Sequence, residues 1–459
     1  MAKAQRHKAG NTANTDHGSR HCAAQIISRW LTSGEFPSRL LNNVSHDRAF
    51  VTELVYGVVR WKRLLEWIIG RLVRQKPSPT LNAFLLAGLY QILMMKNVAE
   101  YAAVNETVAA AKFFFSSKQG DFVNAILRRG IAEKKHLHEK IEKLSAGIRY
   151  SHPDVLIERW TKYFGAKETE RLCAWNNTRP NLIIRLNALM PEHRLIALAS
   201  ELRSHHAIVP VVDIPERLPE VCVHLKQYSG GPRAPRADGP DLFFTVPHGL
   251  KVEDLPGYSE GLFLVVDPFV QNAVDSLSPE PGENVLDACA APGGKTFLIA
   301  ERMQCRGRLT AMDLNEDRLK ILRQNLSRLR IENFVEVKKG DILDKNPFTD
   351  EQFDRILADV PCSNTGVIRR KPDVRWRFCL KGQKMLVETQ KMILDRLAAM
   401  LKNGGTLVYS TCSIEPEENE KLVAAWLDKN PGFHLAEERK TFPPESGTDG
   451  GYAAAITKK

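Results

Sequence analysis

The segment Asn284–Thr296, NVLDACAAPGGKT, indicates the architecture of the C-terminal part of this 459-residue chain. Its apolar run NVLDAC has the character of a buried β-strand, and a helical pattern begins at the lysine. The turn between them is not a Walker loop, because its spacing differs. Small residues in the turn let the backbone approach a ligand, and the helix N-terminus offers free N–H donors. These small residues are Ala290, Ala291, Gly293 and Gly294.

Strands and helices alternate downstream of this segment. RLTAMDL, FVEVKKGD, FDRILADV and TLVYSTC are short β-branched or apolar runs. FLIAERM, NEDRLKILRQNLSRL and KGQKMLVETQKMILDRLAAMLKN lie between them and have helical periodicity. This order predicts an open, mostly parallel α/β sheet, in which a ligand binds beyond the carboxyl ends of the strands.

Three carboxylates follow successive predicted strands. Asp313 ends the second strand and lies 19 residues after Gly294, where it could accept hydrogen bonds from ribose hydroxyls. Asp341 follows the third strand, and Asp359 ends the fourth. One such Asp is usually a turn or cap residue, but three in register favour a nucleoside site. Because no phosphate-binding fingerprint accompanies them, S-adenosylmethionine fits this site better than a dinucleotide does.

Two of the eight cysteines lie at predicted strand ends in polar sequence, in ADVPCSNTG (Cys362) and YSTCSIEPEEN (Cys412). Cysteines are more often small buried residues, but a parallel sheet brings both of these to the cofactor edge. A thiolate that adds to C6 of cytosine activates C5 toward a methyl donor. A helix N-terminus or basic neighbours should lower the pKa of Cys412, and Asp359 could bind the cytosine N3/N4 edge. No cysteine spacing suggests zinc or a disulfide framework, so no metal is expected.

The length predicts two or three domains. Residues 1–150 contain 23 Lys and Arg against 11 Asp and Glu, so the net charge of +11 resides in the first third, as expected for contact with a polyanion. We expect a disordered basic tail at 1–20 and an all-helical domain at 21–148. A small α+β module at 149–265, with a loop at SGGPRAPRADGP, and the α/β domain at 266–459 should follow. No apolar run is long enough for a membrane helix or a signal, so a cytoplasmic protein is expected.

The motifs resemble known families. VNETVAAAKFF and DFVNAILRRG resemble the helical RNA-binding domain of the antitermination factor NusB. DACAAPGGKT, ADVPCSNTG and YSTCSIEPEEN closely resemble the Sun/NOL1/NOP2 family of RNA 5-methylcytosine methyltransferases, and the two together suggest bacterial members acting on 16S ribosomal RNA. The resemblance implies a class I methyltransferase domain with a mostly parallel seven-stranded sheet. It also implies Cys412 as nucleophile, Cys362 in product release, and cofactor contacts at Cys289, Ala290, Ala291, Pro292, Gly293, Gly294, Lys295, Asp313, Asp341 and Asp359.

Basic residues beside the proposed site predict RNA contact. IRRKPDVRW combines charges for phosphate with Trp376 for stacking, although a solvated charged surface is the ordinary alternative. The predicted RNA-contacting residues are Arg369, Arg370, Lys371 and Arg375 here, and Arg128 and Arg129 in the helical domain. Asn364 and Val266 depart from the family pattern, which commonly has Gly and Gln there, but neither change removes a reacting group.

Other functions remain open from the sequence. The same chemistry could act on transfer RNA or on another ribosomal site, because the catalytic motifs do not encode the target. A noncatalytic RNA-binding assembly factor is a second alternative, and an NAD-dependent oxidoreductase would leave the paired cysteines unexplained. A monomer is expected.

Overall fold

The computed structural model describes residues 18–206, 208–210, 243–344, 348 and 352–459. The predicted tail up to residue 17 and the predicted loop SGGPRAPRADGP lie outside these residues. The described chain divides into two compact units, with the boundary between Arg159 and Trp160. The domain boundaries drawn from the sequence remain predictions.

The first unit is helical. The helix that opens at Pro79 is capped by Ser78, whose hydroxyl accepts a hydrogen bond from the Leu81 N–H, so it begins where the sequence predicts. This helix is apolar on nearly every face and is buried from Leu81 to Ile92. The helices are Ser19–Ser33, Pro37–Leu41, Arg48–Leu72, Pro79–Met94, Glu100–Phe114, Ser117–Ala132, Lys134–Ile141 and Ala146–Arg149, and Asp154–Phe164 crosses into the second unit.

The second unit begins with a small antiparallel sheet. Its strands are β1 (Leu182–Leu186), β2 (Val209–Pro210), β3 (Phe243–Val246) and β4 (Phe263–Val265), in the order β2-β3-β1-β4. The α-helices of this unit are Ala166–Asn176, Glu192–His206, Phe269–Leu277, Gly294–Arg302, Glu316–Arg328, Val374–Arg377, Leu380–Ala399, Glu420–Leu427 and Pro443–Ser446.

A seven-stranded sheet forms the rest of this unit, with strand order β10-β11-β9-β8-β5-β6-β7. Strands β5 to β9 pair in parallel, whereas β11 is antiparallel to both of its neighbours. This confirms the predicted fold class. The strands are β5 (Asn284–Asp287), β6 (Arg308–Asp313), β7 (Val335–Lys339), β8 (Phe353–Asp359), β9 (Leu401–Thr411), β10 (Phe433–Thr441) and β11 (Gly451–Lys458).

Helices cover both faces of this sheet. Along β5, Val285 belongs to one buried apolar cluster and Leu286 to another, as the two-residue repeat of a strand requires. Residues of the small sheet join the first cluster, among them Ile183 and Phe243. The chain order reverses at β5, because β6 lies on one side of it and β8 on the other. Such a reversal opens a crevice at the carboxyl ends of the strands.

A buried ion pair connects the small sheet to the large one. The Arg185 guanidinium donates two hydrogen bonds, of 3.0 and 2.6 Å, to Glu301 in the helix after β5. Both side chains are at most 10% exposed, so removing either would leave an uncompensated buried charge. Within the described ranges, no helix is long and apolar enough to cross a membrane.

Candidate active site

The turn after β5 is built around Gly293. This residue has φ of 107°, and a Cβ there would lie 2.6 Å from a methyl carbon of Leu322. Both the backbone conformation and the space therefore require glycine. The Gly293 N–H donates to the Ala290 carbonyl, and the Ala290 N–H donates to Met312 at the end of β6. The turn is thus fixed against the neighbouring strand, with the helix Gly294–Arg302 beginning directly after it.

Asp287, the last residue of β5, is completely buried beneath this turn. Its Oδ2 accepts a 2.7 Å hydrogen bond from the Thr296 hydroxyl, whereas Oδ1 has no hydrogen-bond partner among the residues described. Burial raises the pKa of Asp287 to about 7. We did not identify this residue as a site residue from the sequence. An aspartate that ends a buried apolar strand was the available signal.

The Asp313 carboxylate holds the turn from the end of β6. It accepts hydrogen bonds from the backbone N–H groups of Ala291, at 3.2 Å, and Asn315, at 3.0 Å. Arg318 forms an ion pair with it at 3.2 Å. Carboxylate oxygens each accept more than one hydrogen bond, so this support is compatible with a ligand at the same group. Asp341, past the end of β7, accepts from the Leu343 N–H at 2.9 Å and is partly exposed.

Lys295 forms an ion pair with Asp359, at the end of β8, over 2.7 Å. Burial alone would lower the pKa of the Lys295 ammonium, but the facing Asp359 carboxylate, with smaller contributions from Cys412 and Asp287, raises it. Lys295 is therefore protonated, and its ammonium group connects the turn after β5 to the end of β8.

Two thiols lie beside this ion pair. The sulfur atoms of Cys362 and Cys412 are 3.3 Å apart, although the residues are 50 positions apart in the chain. The adjacent Cys412 and burial together raise the pKa of the Cys362 thiol well above its ordinary value. The Cys412 sulfur also lies 3.1 Å from Oδ1 of Asn364. Both thiols were expected at one sheet edge because each follows a strand end, and the structure brings them into contact there.

Glu418 connects the two cysteine loops. Its side chain is fully buried and accepts hydrogen bonds from the Ser363 N–H at 2.8 Å and the Ser413 hydroxyl at 3.0 Å. A third bond comes from Nε2 of Gln390 at 3.2 Å. Ser363 follows Cys362 and Ser413 follows Cys412, so one carboxylate fixes both. Glu418 belongs to the EPEEN motif, but the motif alone did not predict this role.

Gly366 brings the loop of Cys362 against the strand end that carries Cys412. Its N–H donates to the Cys412 carbonyl at 3.0 Å, and its own carbonyl accepts from the Gly450 N–H at 2.9 Å. A Cβ at Gly366 would lie 2.1 Å from the Gly450 oxygen. Only glycine permits this approach, which also ties the C-terminal DGGYAAAI segment to the site.

Known proteins resemble the chain along most of its length. A family model for the 16S rRNA methyltransferase RsmB/F matches residues 274–456, and a model for the NusB family matches residues 17–132. Ribosomal RNA small subunit methyltransferase B of Yersinia pestis bv. Antiqua (strain Angola) is 34% identical over 96% of this chain and 98% of its own. The probable ribosomal RNA small subunit methyltransferase B of Synechocystis sp. (strain ATCC 27184 / PCC 6803 / Kazusa) is 36% identical over 83% of this chain and 81% of its own.

The chain belongs to the RsmB/F family of 16S rRNA methyltransferases.

Solved structures share the fold of this RsmB/F family member. The crystal structure of PH0851 covers 96% of this chain and 99% of its own, with a TM-score of 0.75 at 23% identity. That of NSun6 from Pyrococcus horikoshii, determined with SFG, covers 67% and 98%, with a TM-score of 0.53 at 22% identity. Identities at this level support the fold alone.

RsmB/F methyltransferases use S-adenosylmethionine, and the residues present fit it. Asp287 offers a buried carboxylate oxygen without a hydrogen-bond partner among the described residues, at the carboxyl end of β5. The turn is built from small residues, and a Cβ at Gly294 would meet only Val266, at 3.8 Å. The carboxylates at the ends of β6 and β8 suit S-adenosylmethionine, which is a cation with free hydroxyls, better than they suit a ligand that carries phosphate.

The arginines of the basic segment IRRKPDVRW have partners within the fold. Arg375 is fully buried and donates to the side chain of Asn177, at 2.8 Å, and the carbonyl of Asn176. Arg369, 9% exposed, lies over the Trp175 ring and donates to a backbone carbonyl.

Arg370 lies between Asp267 and Asp449, forming ion pairs of 2.5 and 2.7 Å. These three arginines of the segment therefore hold the fold together, because carboxylates, carbonyls and an aromatic ring already occupy their guanidinium groups. Their RNA contact stays a prediction. Lys371 is exposed and keeps the predicted role as a proposal.

Arg128 and Arg129 both lie at the surface of the first unit. Arg128 donates to Asn124, and Arg129 forms an ion pair with Glu133 while also donating to a backbone carbonyl. Surface ion pairs of this kind are weak, so a phosphate could replace the Glu133 contact. Their RNA contact stays a prediction.

Proposed function

We propose that this RsmB/F methyltransferase methylates C5 of a cytosine in 16S ribosomal RNA, with Cys412 as the nucleophile. The observation that carries the proposal is the pair of thiols 3.3 Å apart, beside the Lys295–Asp359 ion pair at the carboxyl edge of the sheet. Paired thiols have no use in transferring a methyl group to an atom that is already nucleophilic. C5 of cytosine is not, so it needs covalent activation.

In the proposed reaction the Cys412 thiolate adds to C6 of the cytosine and makes C5 electron-rich. S-adenosylmethionine supplies the methyl group. The C5 proton then passes to solvent, the electron pair of the C5–H bond re-forms the C5–C6 double bond, and the C6–S bond breaks with its electron pair returning to the Cys412 sulfur. We assign Cys362 to this release step because its sulfur lies next to that of Cys412. The target base must be unstacked to reach the thiols.

We also assign supporting roles in this chemistry to Lys295 and Asp359. The Lys295 ammonium interacts electrostatically with Cys412. The same ammonium holds Asp359, whose second oxygen is available for the N3/N4 edge of cytosine. Asp359 is one-third exposed, so an incoming base can reach it.

The RNA target is proposed from the relatives and from charge. Two relatives above 30% identity carry the name ribosomal RNA small subunit methyltransferase B. The NusB match covers the basic first third of the chain, which holds 23 Lys and Arg against 11 Asp and Glu in residues 1–150. The competing hypotheses are that the target is transfer RNA and that the protein is a noncatalytic RNA-binding assembly factor.

The test is methyl transfer from labelled S-adenosylmethionine to unmodified 16S ribosomal RNA, followed by digestion to nucleosides. We expect labelled 5-methylcytosine with the wild type and none with Cys412→Ala. Label in transfer RNA alone would preserve the chemistry and reject the target. Cofactor binding without transfer to any RNA would support the assembly role, and label on another atom would reject the C5 assignment.

A further inference from the structure

The side chain of Asn364 bridges the two cysteines. Its Nδ2 donates a 2.8 Å hydrogen bond to the backbone carbonyl of Cys362, and its Oδ1 lies 3.1 Å from the sulfur of Cys412. The residue has φ of 59° and ψ of 24°, a left-handed conformation in which Asn is tolerated better than most residues. The amide is therefore held at both ends while its backbone directs it between the thiols.

The orientation of this amide is set by its partners. A carbonyl oxygen accepts hydrogen bonds and cannot donate, so the Cys362 carbonyl requires the NH₂ end of Asn364. The oxygen end must then face the Cys412 sulfur. An amide oxygen accepts a hydrogen bond from a thiol but repels a thiolate. The Cys412 S–H is consequently directed at Asn364, and Cys362 donates its own S–H to the Cys412 sulfur.

We propose that Asn364 is a positioning residue that holds Cys412 in its protonated, unreactive form until RNA enters the site. This inference rests on the proposed function, since it assigns a resting state to the proposed nucleophile. Hydrogen bonding to the neutral form of an acid disfavours ionisation. When a cytosine takes the place of the amide oxygen beside the sulfur, that bond is lost, and with it the interaction that holds the proton on the sulfur. The arrangement protects an accessible thiol from reaction in the absence of substrate.

The test measures iodoacetamide alkylation of Cys412 against pH in full-length protein without RNA. Cleavage and mass spectrometry of the Cys412 peptide separate this thiol from the other seven cysteines. In Asn364→Gly the backbone conformation is preserved and the amide is removed. We expect the pH of half-maximal alkylation to fall by about half to one unit, so that the rate near neutral pH rises about threefold to tenfold. Asn364→Asp, which places a full charge at the same point, should shift the midpoint upward.

The midpoint distinguishes this role from a merely structural one. A looser loop raises the alkylation rate by the same factor at every pH, whereas loss of the hydrogen bond moves the midpoint. Ser278→Gly is the matched control, because Ser278 also has positive φ, at 47°, and lies at the end of the helix Phe269–Leu277 rather than in either cysteine loop. Its midpoint should equal that of the wild type. An unchanged or raised midpoint in Asn364→Gly would overturn the proposal. Methyl transfer by the wild type, measured separately, reports on the proposed function alone.

Discussion

Glu418 should be the residue on which the geometry of the thiol pair depends most. In Glu418→Ala, the partly buried Ser363 N–H loses its acceptor, Ser413 loses its carboxylate partner, and Gln390 keeps only its 2.9 Å bond to the Pro361 carbonyl. A buried donor left unsatisfied costs about 1–3 kcal/mol, and each further lost hydrogen bond costs about 1 kcal/mol. The free energy of unfolding should therefore fall by about 3–5 kcal/mol.

Glu418→Gln is the matched comparison. The Ser413 hydroxyl can rotate to accept from the new NH₂ group, while the amide oxygen still accepts from the Ser363 N–H and from Gln390. Only the charge assistance is lost, which costs about 1 kcal/mol. Thermal unfolding should show a Tm decrease of about 2–4 °C for Glu418→Gln and a several-fold larger decrease for Glu418→Ala.

The same pair of variants tests the link from structure to reaction. Methyl transfer, measured below the Tm of each variant, should fall at least tenfold in Glu418→Ala and much less in Glu418→Gln, because only the former releases both cysteine loops. Equal Tm values for the two variants, or full transfer activity in Glu418→Ala, would refute this account of how the thiols are held.

Three further predictions concern the glycine at the site, a buried arginine and a buried carboxyl group. Gly366→Ala should lower stability by about 1–3 kcal/mol and reduce methyl transfer, since its Cβ would lie 2.1 Å from the Gly450 oxygen; Gly432→Ala, whose Cβ would meet nothing within 4 Å, should leave the Tm unchanged. Arg375→Ala should lower the Tm without changing the slope of log K for RNA binding against log salt concentration. Lys371→Ala should reduce the magnitude of that slope by about 1 in a salt titration. The reverse pattern would assign the RNA contact to Arg375. Burial raises the pKa of Asp287 to about 7, so the folded state binds this proton more tightly than the unfolded state and its contribution to stability falls as pH rises from about 4 to 7. Asp287→Asn should flatten that part of the pH–stability curve, and an unaltered curve would contradict the assignment.

The large sheet was largely predictable from the sequence. Strands β5 to β9 are short apolar runs separated by helical patterns, and both signals come from simple periodicity. The two C-terminal strands were not located this way. In β11, GYAAAITK is alanine-rich and has β-branched residues only at Ile456 and Thr457, although it is buried between two other strands. In β10, FHLAEERKT is a charged edge strand that has no apolar alternation.

The candidate site was predictable where it depends on strand ends, and not where it depends on loops. Parallel topology alone brings Cys362 and Cys412 to one edge. The contacts of Glu418 and Asn364 arise from loop conformations that no periodic pattern encodes. The burial of the arginines could not be predicted either, since a run of basic residues looks the same in sequence whether it is solvated or, as at Arg375, buried against carbonyl groups.

A covalent complex between Cys412 and RNA tests the central claim most directly. Cys362→Ala would be incubated with S-adenosylmethionine and unmodified 16S ribosomal RNA, denatured, and digested to locate any peptide that carries a nucleotide. The account predicts a stable complex through the Cys412 sulfur, which the double variant with Cys412→Ala does not form. Methyl transfer by Cys412→Ala at the wild-type level, together with the absence of a complex in Cys362→Ala, would contradict the role of Cys412 as the nucleophile.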